Sequence, residues 1–184
     1  MKILLHTCCA GCAIYTFRVL ESKFNQVTGF FFNPNIHPYK EFKSRQEAVK
    51  KYADKYGKKM EFREYTPERF FHEVNYKEMH GERCPICWRM RLTEAATFAK
   101  EKGYDSFTTT LLISPYQNHD IVKLIGEEIS KETGIPFYYE DFRPGFNESL
   151  GTLEAEGLYS QKYCGCLYSE KERYEKKKKP VSIA

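Results

Sequence analysis

Short apolar runs alternate along this chain with longer segments in which apolar side chains recur at helical spacing. Residues 2–6 and 27–32 are apolar runs followed by polar or turn-forming residues, a pattern that predicts buried strands. Residues 38–56 place apolar side chains about every three to four positions among charged ones, which predicts an amphipathic helix. Because strands and helices alternate in this way, the sequence predicts an α/β fold with a parallel sheet and helices on both faces.

The pattern predicts five strands, and we expect them to form a Rossmann-like parallel sheet. The predicted strands cover residues 2–6, 27–32, 60–65, 105–111 and 136–140. The predicted helices cover residues 11–24, 38–56, 84–102 and 117–133, and a short helix opens at Pro67. Loop and helix that carry further cysteines are predicted beyond the fifth strand. We expect a single α/β catalytic domain over residues 1–170 and a basic tail over residues 171–184.

Polar side chains occupy the loops that follow several of the predicted strands. Sites in parallel sheets lie beyond the carboxyl ends of the strands, so these loops should converge at one edge. We expect the substrate to bind there, together with one residue chosen for its closeness to a cysteine, Gln161. The candidate substrate-binding residues are Asn33, Asn35, Gln117, Arg143 and Gln161.

Charge and segment length limit the classes of function. The chain of 184 residues has a net charge of +4, which by itself requires no nucleic-acid partner. Its opening apolar run is far too short to span a membrane or to direct export. We therefore expect a cytoplasmic protein without a membrane partner. The run Lys176–Lys179 is typical of a solvated tail, and it also suits contact with phosphate groups.

All seven cysteines lie in three tight clusters, which is the strongest chemical signal in the sequence. Clustered thiols indicate metal or redox chemistry, whereas buried structural cysteines are placed singly wherever the core needs them. Four thiolates complete an iron–sulfur cubane, and the other three could hold one further metal with a position open for substrate. The clusters are Cys8, Cys9 and Cys12, then Cys84 and Cys87, then Cys164 and Cys166.

Other interpretations of the cysteines remain open at the level of sequence. A disulfide framework fits poorly with an odd number of thiols in a reducing compartment. A structural zinc site would leave the first cluster unexplained. Cys164 and Cys166 could instead cycle between dithiol and disulfide. The rival functions are therefore a zinc- or cluster-stabilised RNA-binding module and a metal-free thiol–disulfide oxidoreductase.

Five stretches together resemble one known family. They are LLHTCCAGC near the start, CPICWRMRL in the middle, TTTLLISPYQN after the fourth predicted strand, and DFRPG followed by LYSQKYCGCLYS near the end. In this combination and order they resemble the QueH family, the cobalamin-independent epoxyqueuosine reductases. The resemblance extends from residue 3 to about residue 170, and all seven cysteines match.

The resemblance implies a fold, a reaction and cofactors. It implies a sheet like that of the adenine-nucleotide hydrolase superfamily, also described as HUP-like. It implies the last step of queuosine biosynthesis, in which epoxyqueuosine at the wobble position of tRNA loses its epoxide oxygen. A [4Fe-4S] cluster and a nearby mononuclear iron are implied as cofactors. The partners would be a tRNA with a queuosine-type anticodon loop and an unidentified electron donor.

Site residues can be assigned to this chemistry from their positions in the chain. We expect Cys8, Cys9, Cys84 and Cys87 to bind the [4Fe-4S] cluster, because first-strand and mid-chain thiols should meet at one sheet edge. The remaining thiols, Cys12, Cys164 and Cys166, would hold the second iron, unless Cys164 and Cys166 form a redox-active disulfide. An acid must protonate the departing oxygen. Asp141 is the first candidate for that acid, and Tyr116 and Lys162 are the alternative candidates.

Overall fold

The computed structural model of the protein describes residues 1–175, so the predicted contact of the Lys176–Lys179 run with phosphates lies outside the described residues. The strands are β1 (Lys2–His6), β2 (Gln26–Phe31), β3 (Lys59–Phe62) and β4 (Ser106–Thr109). The helices are α1 (Ala10–Glu21), α2 (Tyr39–Tyr56), α3 (Pro67–Val74), α4 (His80–Glu101), α5 (His119–Thr133), α6 (Phe146–Ala155) and α7 (Leu167–Tyr174).

The four strands form one parallel sheet in the order β3-β2-β1-β4. β1 lies in the interior, where Leu5 pairs with Gly29 of β2 on one side and with Thr108 of β4 on the other. Strands that are covered on both faces read as continuous apolar runs rather than as alternating ones. This explains why β1 and β2 were recognisable from the sequence.

Helices cover both faces of the sheet, as predicted. Successive side chains of a strand point to opposite faces. Accordingly, Phe30 stacks on Phe98 of α4, with 4.8 Å between the ring centroids, whereas Phe31 packs on Phe42 of α2 at 5.4 Å. Two adjacent phenylalanines thus join the sheet to two different helix layers.

The prediction of a fifth strand over residues 136–140 is wrong. This segment makes one isolated parallel bridge, between Phe137 and Phe107. Phe107 N–H donates to the carbonyl of Pro136 at 3.0 Å, and Tyr138 N–H donates to the carbonyl of Phe107 at 2.8 Å. The ladder ends there because β4 stops at Thr109 and the chain turns into a 3-10 helix, Thr110–Ile113. β4 therefore offers only two residues beyond Phe107 for further pairing.

Other boundaries also differ from the prediction: β3 ends at Phe62 rather than at 65, β4 at Thr109 rather than at 111, and α1 at Glu21 rather than at 24. α4 begins at His80 rather than at Cys84, because Arg83 anchors an additional first turn through the carbonyl of Glu78 at 2.6 Å. The predicted tail begins inside α7, which Arg83 holds through a two-pronged ion pair with Glu172. In the part of the chain that is described, we find no helix that is both long enough and apolar enough to cross a membrane.

Candidate metal centre

The first cysteine cluster lies directly after β1, where the chain turns into α1. Cys9 is the N-cap residue of α1, and its Sγ accepts a hydrogen bond from the backbone N–H of Cys12 at 3.3 Å. The Sγ atoms of Cys8 and Cys9 are 3.8 Å apart, and those of all three cysteines lie within 4.8 Å of one another. A helix N-terminus favours negative charge, so the location suits bound thiolates.

The three buried thiols of this cluster differ in acidity. Hydrogen bonds from Cys12 and Cys9 hold the pKa of Cys8 well below its ordinary value, and Arg91 and Thr110 contribute in the same direction. Burial raises the pKa of Cys9, and the neighbouring thiol of Cys8 raises that of Cys12. One thiolate, on Cys8, is thus favoured before any metal enters. Two further thiols beside it can lose their protons to a metal.

The second cluster lies on α4, where Cys84 and Cys87 are one helical turn apart on the same face. Cys84 is half-buried and Cys87 is buried. Burial raises the pKa of each thiol to about 12, so both are protonated at neutral pH in the metal-free protein. Cys87 packs with Cys166 in one cluster of buried side chains, so the second and third clusters are neighbours.

The third cluster lies on the loop before α7. Cys166 is the N-cap of that helix, and its Sγ accepts from Ser169 N–H at 3.4 Å. Arg45 of α2 stabilises the loop by donating hydrogen bonds to the carbonyls of Cys164 at 2.9 Å and Tyr163 at 3.0 Å. Glu41 in turn accepts from Arg45 Nε at 2.7 Å. All three clusters are therefore carried by helix beginnings that meet beyond the sheet.

A buried arginine, Arg91, connects the clusters. It follows Cys87 by one helical turn, and its Nη1 lies 4.0 Å from Cys87 Sγ. Its charge also lowers the pKa of Cys8, and it opposes the burial that raises the pKa of Cys164. Nη2 donates to Asn33 Oδ1 at 2.9 Å, and Nε donates to His6 Nε2 at 3.2 Å.

A cavity of about 480 Å³ opens onto the thiols. Cys8, Cys9 and Cys12 line it together with Cys164, so it is bounded by the first and third clusters. Part of the cavity lining is apolar, and other lining residues carry amide, hydroxyl and cationic groups. The apolar wall consists of Leu111, Phe146, Leu150 and Leu153, and the polar lining includes Ser114, Tyr116, Gln117, Gln161, Lys162 and Arg173.

The residues present fit a thiolate-bound metal centre. All seven cysteines are free thiols, so no disulfide joins Cys164 to Cys166 in this structure. Thiolates about 2.3 Å from a tetrahedral ion are roughly 3.8 Å apart, which is the separation of the Cys8 and Cys9 sulfurs. Amide groups also face the sulfurs: Gln161 Nε2 lies 4.0 Å from Cys12 Sγ, and Gln117 Nε2 lies 3.9 Å from Cys164 Sγ.

Comparison with known proteins places the chain in a family. The sequence model of the family described as epoxyqueuosine reductase QueH matches residues 3–172. The chain belongs to the QueH family. It is 39% identical to the epoxyqueuosine reductase QueH of Dehalococcoides mccartyi over 184 residues, with 98% of each chain covered. Its identity to the protein of the same name from Thermotoga maritima is 36%, over 95% of this chain and 93% of that relative.

Some of the predicted site residues of this QueH-family chain line the cavity and others do not. Tyr116, Gln117, Gln161 and Lys162 line it, as does Cys164. Asn33 is buried instead in the Arg91 network, where its Nδ2 donates to the Thr7 carbonyl at 2.9 Å. The remaining predicted residues outside the lining are Asn35, Cys84, Cys87, Asp141, Arg143 and Cys166.

The structure disfavours Asp141 as a proton donor. Its carboxylate forms a two-pronged ion pair with Arg143, with distances of 2.8 and 2.5 Å. Hydrogen bonding from Arg143 lowers the pKa of Asp141 to about 2, so the group is ionised at neutral pH and holds no proton to donate. Asp141 and Arg143 thus form an exposed ion pair outside the cavity lining.

Sequence reasoning missed three residues that organise the centre. Arg91 and Arg45 are fully buried, and Thr110 donates its hydroxyl to Cys8 Sγ at 3.4 Å. Of the three, only Arg91 could have been found from the sequence, because it follows Cys87 by four residues and therefore lies on the same face of the helix. Arg45 and Thr110 lie far from every cysteine in sequence, so only the fold reveals their contacts.

Proposed function

We propose that this chain reduces epoxyqueuosine to queuosine at the wobble position of tRNA. The reaction converts an epoxide into an alkene: two electrons and two protons enter, both C–O bonds break and the oxygen leaves as water. Membership of the QueH family supports the reaction. The observation that carries it is a cavity lined by thiols of two cysteine clusters and closed on one side by an apolar wall. A tRNA substrate implies action in the cytoplasm.

For the cofactors, we propose that Cys8, Cys9, Cys84 and Cys87 hold a [4Fe-4S] cluster. Arg91 acts on one thiol of each cluster, Cys8, Cys87 and Cys164, which supports one shared centre. Cys12, Cys164 and Cys166 would hold a second iron, or the last two would act as a redox-active dithiol. When bound, such a centre supplies electrons one at a time and an electrophilic position beside the substrate.

The protein's own side chains would position the substrate and deliver protons. The apolar wall around Phe146 and Leu150 would exclude water from the ring that carries the epoxide. Gln117 and Gln161 have amide groups that can bind substrate hydroxyls beside the thiols. Tyr116 and Lys162 line the same cavity, and a phenol hydroxyl and an ammonium group are both hydrogen-bond donors. We propose one of these two as the acid for the departing oxygen.

An anaerobic assay tests the function directly. Protein with reconstituted iron is incubated with a tRNA anticodon stem-loop containing epoxyqueuosine and a chemical reductant, and the nucleosides are then identified by mass spectrometry. The proposal expects a product that has lost one oxygen atom. Cys84→Ala should abolish this product and the visible absorbance together. A colourless wild-type protein that binds zinc, or a loaded protein that leaves the epoxide intact, would refute the proposal.

Iron content distinguishes the assignments of the thiols. With a cluster and a second iron, the wild-type protein carries about five irons, and Cys166→Ser retains about four together with the cluster spectrum. If Cys164 and Cys166 act as a dithiol instead, the wild type and Cys166→Ser each carry about four irons. The close packing of Cys8, Cys9 and Cys12 raises a third arrangement, in which they hold a single ion and the other four cysteines hold the cluster. Cys166→Ser would then lose the cluster spectrum.

A further inference from the structure

Three arginines are among the largest fully buried side chains of residues 1–175. Two of them have carboxylate partners: Arg45 pairs with Glu41 at 2.7 Å, and Arg83 pairs with Glu172 at 2.5 Å. Arg91 has none, since no carboxylate of the described residues lies within 4.0 Å of its guanidinium. A buried charge is strongly destabilising unless an opposite charge compensates for it.

The polar neighbours of Arg91 are neutral. Asn33 contributes an amide oxygen. His6 Nε2 lies 3.2 Å from Arg91 Nε and 3.3 Å from the Phe32 carbonyl oxygen, and Nδ1 lies 2.9 Å from Thr109 Oγ1. An imidazole ring offers a donor and an acceptor but no negative charge, so His6 does not act as a counter-ion. Neither neighbour balances the arginine.

The remaining groups that Arg91 faces are sulfurs. It lies against Cys87 Sγ, lines the cavity beside Cys8, and interacts electrostatically with Cys8, Cys87 and Cys164. These residues come from all three cysteine clusters. We propose that Arg91 is the buried counter-ion of the metal–thiolate centre and raises its reduction potential. This inference rests on the proposed iron–sulfur centre, and Arg91 acts on it as a positioning residue rather than as a catalytic one.

The direction of the effect follows from charge. Reduction adds one electron to a centre that is already anionic because of its thiolate ligands. A fixed cation nearby stabilises the reduced form more than the oxidised form, and a buried cation is screened little by solvent. Removing the cation, or neutralising it with a carboxylate, should therefore make the centre harder to reduce.

Asn33 permits a test that keeps the arginine in place. Asn33→Asp converts the amide oxygen that faces Arg91 Nη2 into a carboxylate and gives the cation a conventional partner. Asn33→Leu is its control, because it removes the same bond to the Thr7 carbonyl without adding charge. Arg91→Met removes the cation, and Arg91→Lys keeps it. Arg89→Met removes a cation on the outer side of the same helix, where Arg89 pairs with Glu128 and Glu132.

The measurement is a redox titration of each iron-loaded protein, followed by its visible absorbance, with iron content and thermal unfolding recorded in parallel. For Asn33→Asp and Arg91→Met we expect the ratio of reduced to oxidised centre at a fixed potential to fall at least tenfold, about 59 mV for a one-electron couple. Asn33→Leu, Arg91→Lys and Arg89→Met should stay within about threefold of the wild type, a smaller change than the tenfold step.

The outcomes separate this inference from the proposed function. Loaded Asn33→Asp and Arg91→Met proteins with wild-type potentials would overturn the role of Arg91 and leave the iron–sulfur proposal intact. Loss of iron from these two variants alone would support the role of Arg91. Only in them is the cation either removed or neutralised by a carboxylate. Equal loss of iron from Arg91→Lys would overturn the role of Arg91 as a counter-ion. Lysine keeps the positive charge, so the centre would then depend on the shape of the arginine side chain. A wild-type protein without iron would refute the proposed centre itself.

Discussion

At the scale of single residues, Gly165 decides how the third cysteine cluster is presented. Its φ of +147° is a value that side-chain-bearing residues rarely adopt. A Cβ at this position would lie 3.2 Å from Asn35 Nδ2 and 3.2 Å from Ile36 Cγ1. The glycine lets the chain pass close to the β2–α2 loop, where its carbonyl accepts from His37 N–H at 2.8 Å.

Gly165→Ala should therefore reduce the free energy of unfolding by about 1–3 kcal/mol, because it combines backbone strain with a close contact. Gly151→Ala is the matched control. Gly151 lies in α6, and a Cβ there would meet nothing within 4 Å, so alanine should add about 0.5–1 kcal/mol. Denaturant unfolding of both variants measures the difference. Equal stability of the two variants would contradict the strained conformation of Gly165.

Tyr116 allows the identity of the proposed acid to be tested. Its side chain is 80% exposed at the cavity and packs edge-on against Phe146, with ring centroids 6.0 Å apart. Tyr116→Phe keeps the ring and removes the hydroxyl. If Tyr116 supplies the proton, kcat should fall by about 10²–10⁴ while the Kd for tRNA is unchanged. Wild-type kcat in Tyr116→Phe together with a fall in Lys162→Met would assign the proton to Lys162.

At the scale of elements, α2 holds the loop that carries Cys164 and Cys166. Arg45 donates to two carbonyls of this loop and to Glu41, and Tyr159 donates its hydroxyl to the second oxygen of Glu41. Each buried group of the network has a partner, which is the condition for a polar network to be rigid. The third cluster therefore depends on a helix that contributes no cysteine.

Arg45→Met should cost about 3–5 kcal/mol, because it leaves Glu41 buried without its cation. It should also release the loop, so that Cys164 of the metal-free protein is alkylated faster. Arg18→Met provides the comparison, since the Arg18–Glu148 pair is more than half exposed and should contribute about 0–1 kcal/mol. Chemical denaturation and mass spectrometry of alkylated thiols check both effects. An unchanged alkylation rate of Cys164 in Arg45→Met would contradict the role of Arg45 in holding the loop.

At the scale of the whole molecule, the cavity lining carries cationic side chains together with one carboxylate, that of Glu172, which pairs with Arg83. Lys162 and Arg173 line the cavity, and Arg173 belongs to the last described helix, from which the chain continues into the lysine run. A tRNA anticodon loop that enters the cavity would bring its phosphates past these groups. Phosphate contacts make affinity depend on salt, because each one releases counterions.

Deletion of residues 176–184 should therefore weaken binding of the tRNA stem-loop modestly. It should also make the plot of log affinity against log salt shallower by about 0.7–0.9 for each phosphate that the shortened chain no longer neutralises. Fluorescence anisotropy at several salt concentrations measures this slope, with catalytic turnover of bound tRNA as the control for an intact site. A slope equal to that of the full chain would mean that the lysine run is a solvated tail.

Much of the architecture was predictable because its signals are local. Hydrophobic periodicity correctly predicted β1, β2, α2 and α5 to within about two residues, since burial of one stripe or of a whole strand is written into neighbouring positions. The clustering of seven thiols and the sequence stretches around them also indicated the family before any fold was known.

Only the tertiary structure decided which distant groups meet. It reduced the predicted fifth strand to one bridge, because β4 turns away after Thr109. It placed Asp141 in a surface ion pair and buried Arg91 among thiols from three clusters. Such contacts join residues that are far apart in sequence, and their free energies depend on burial and on the charges nearby. Local pattern contains neither quantity, which is why the sequence by itself specified the elements and the cysteines but not the arrangement of charge around them.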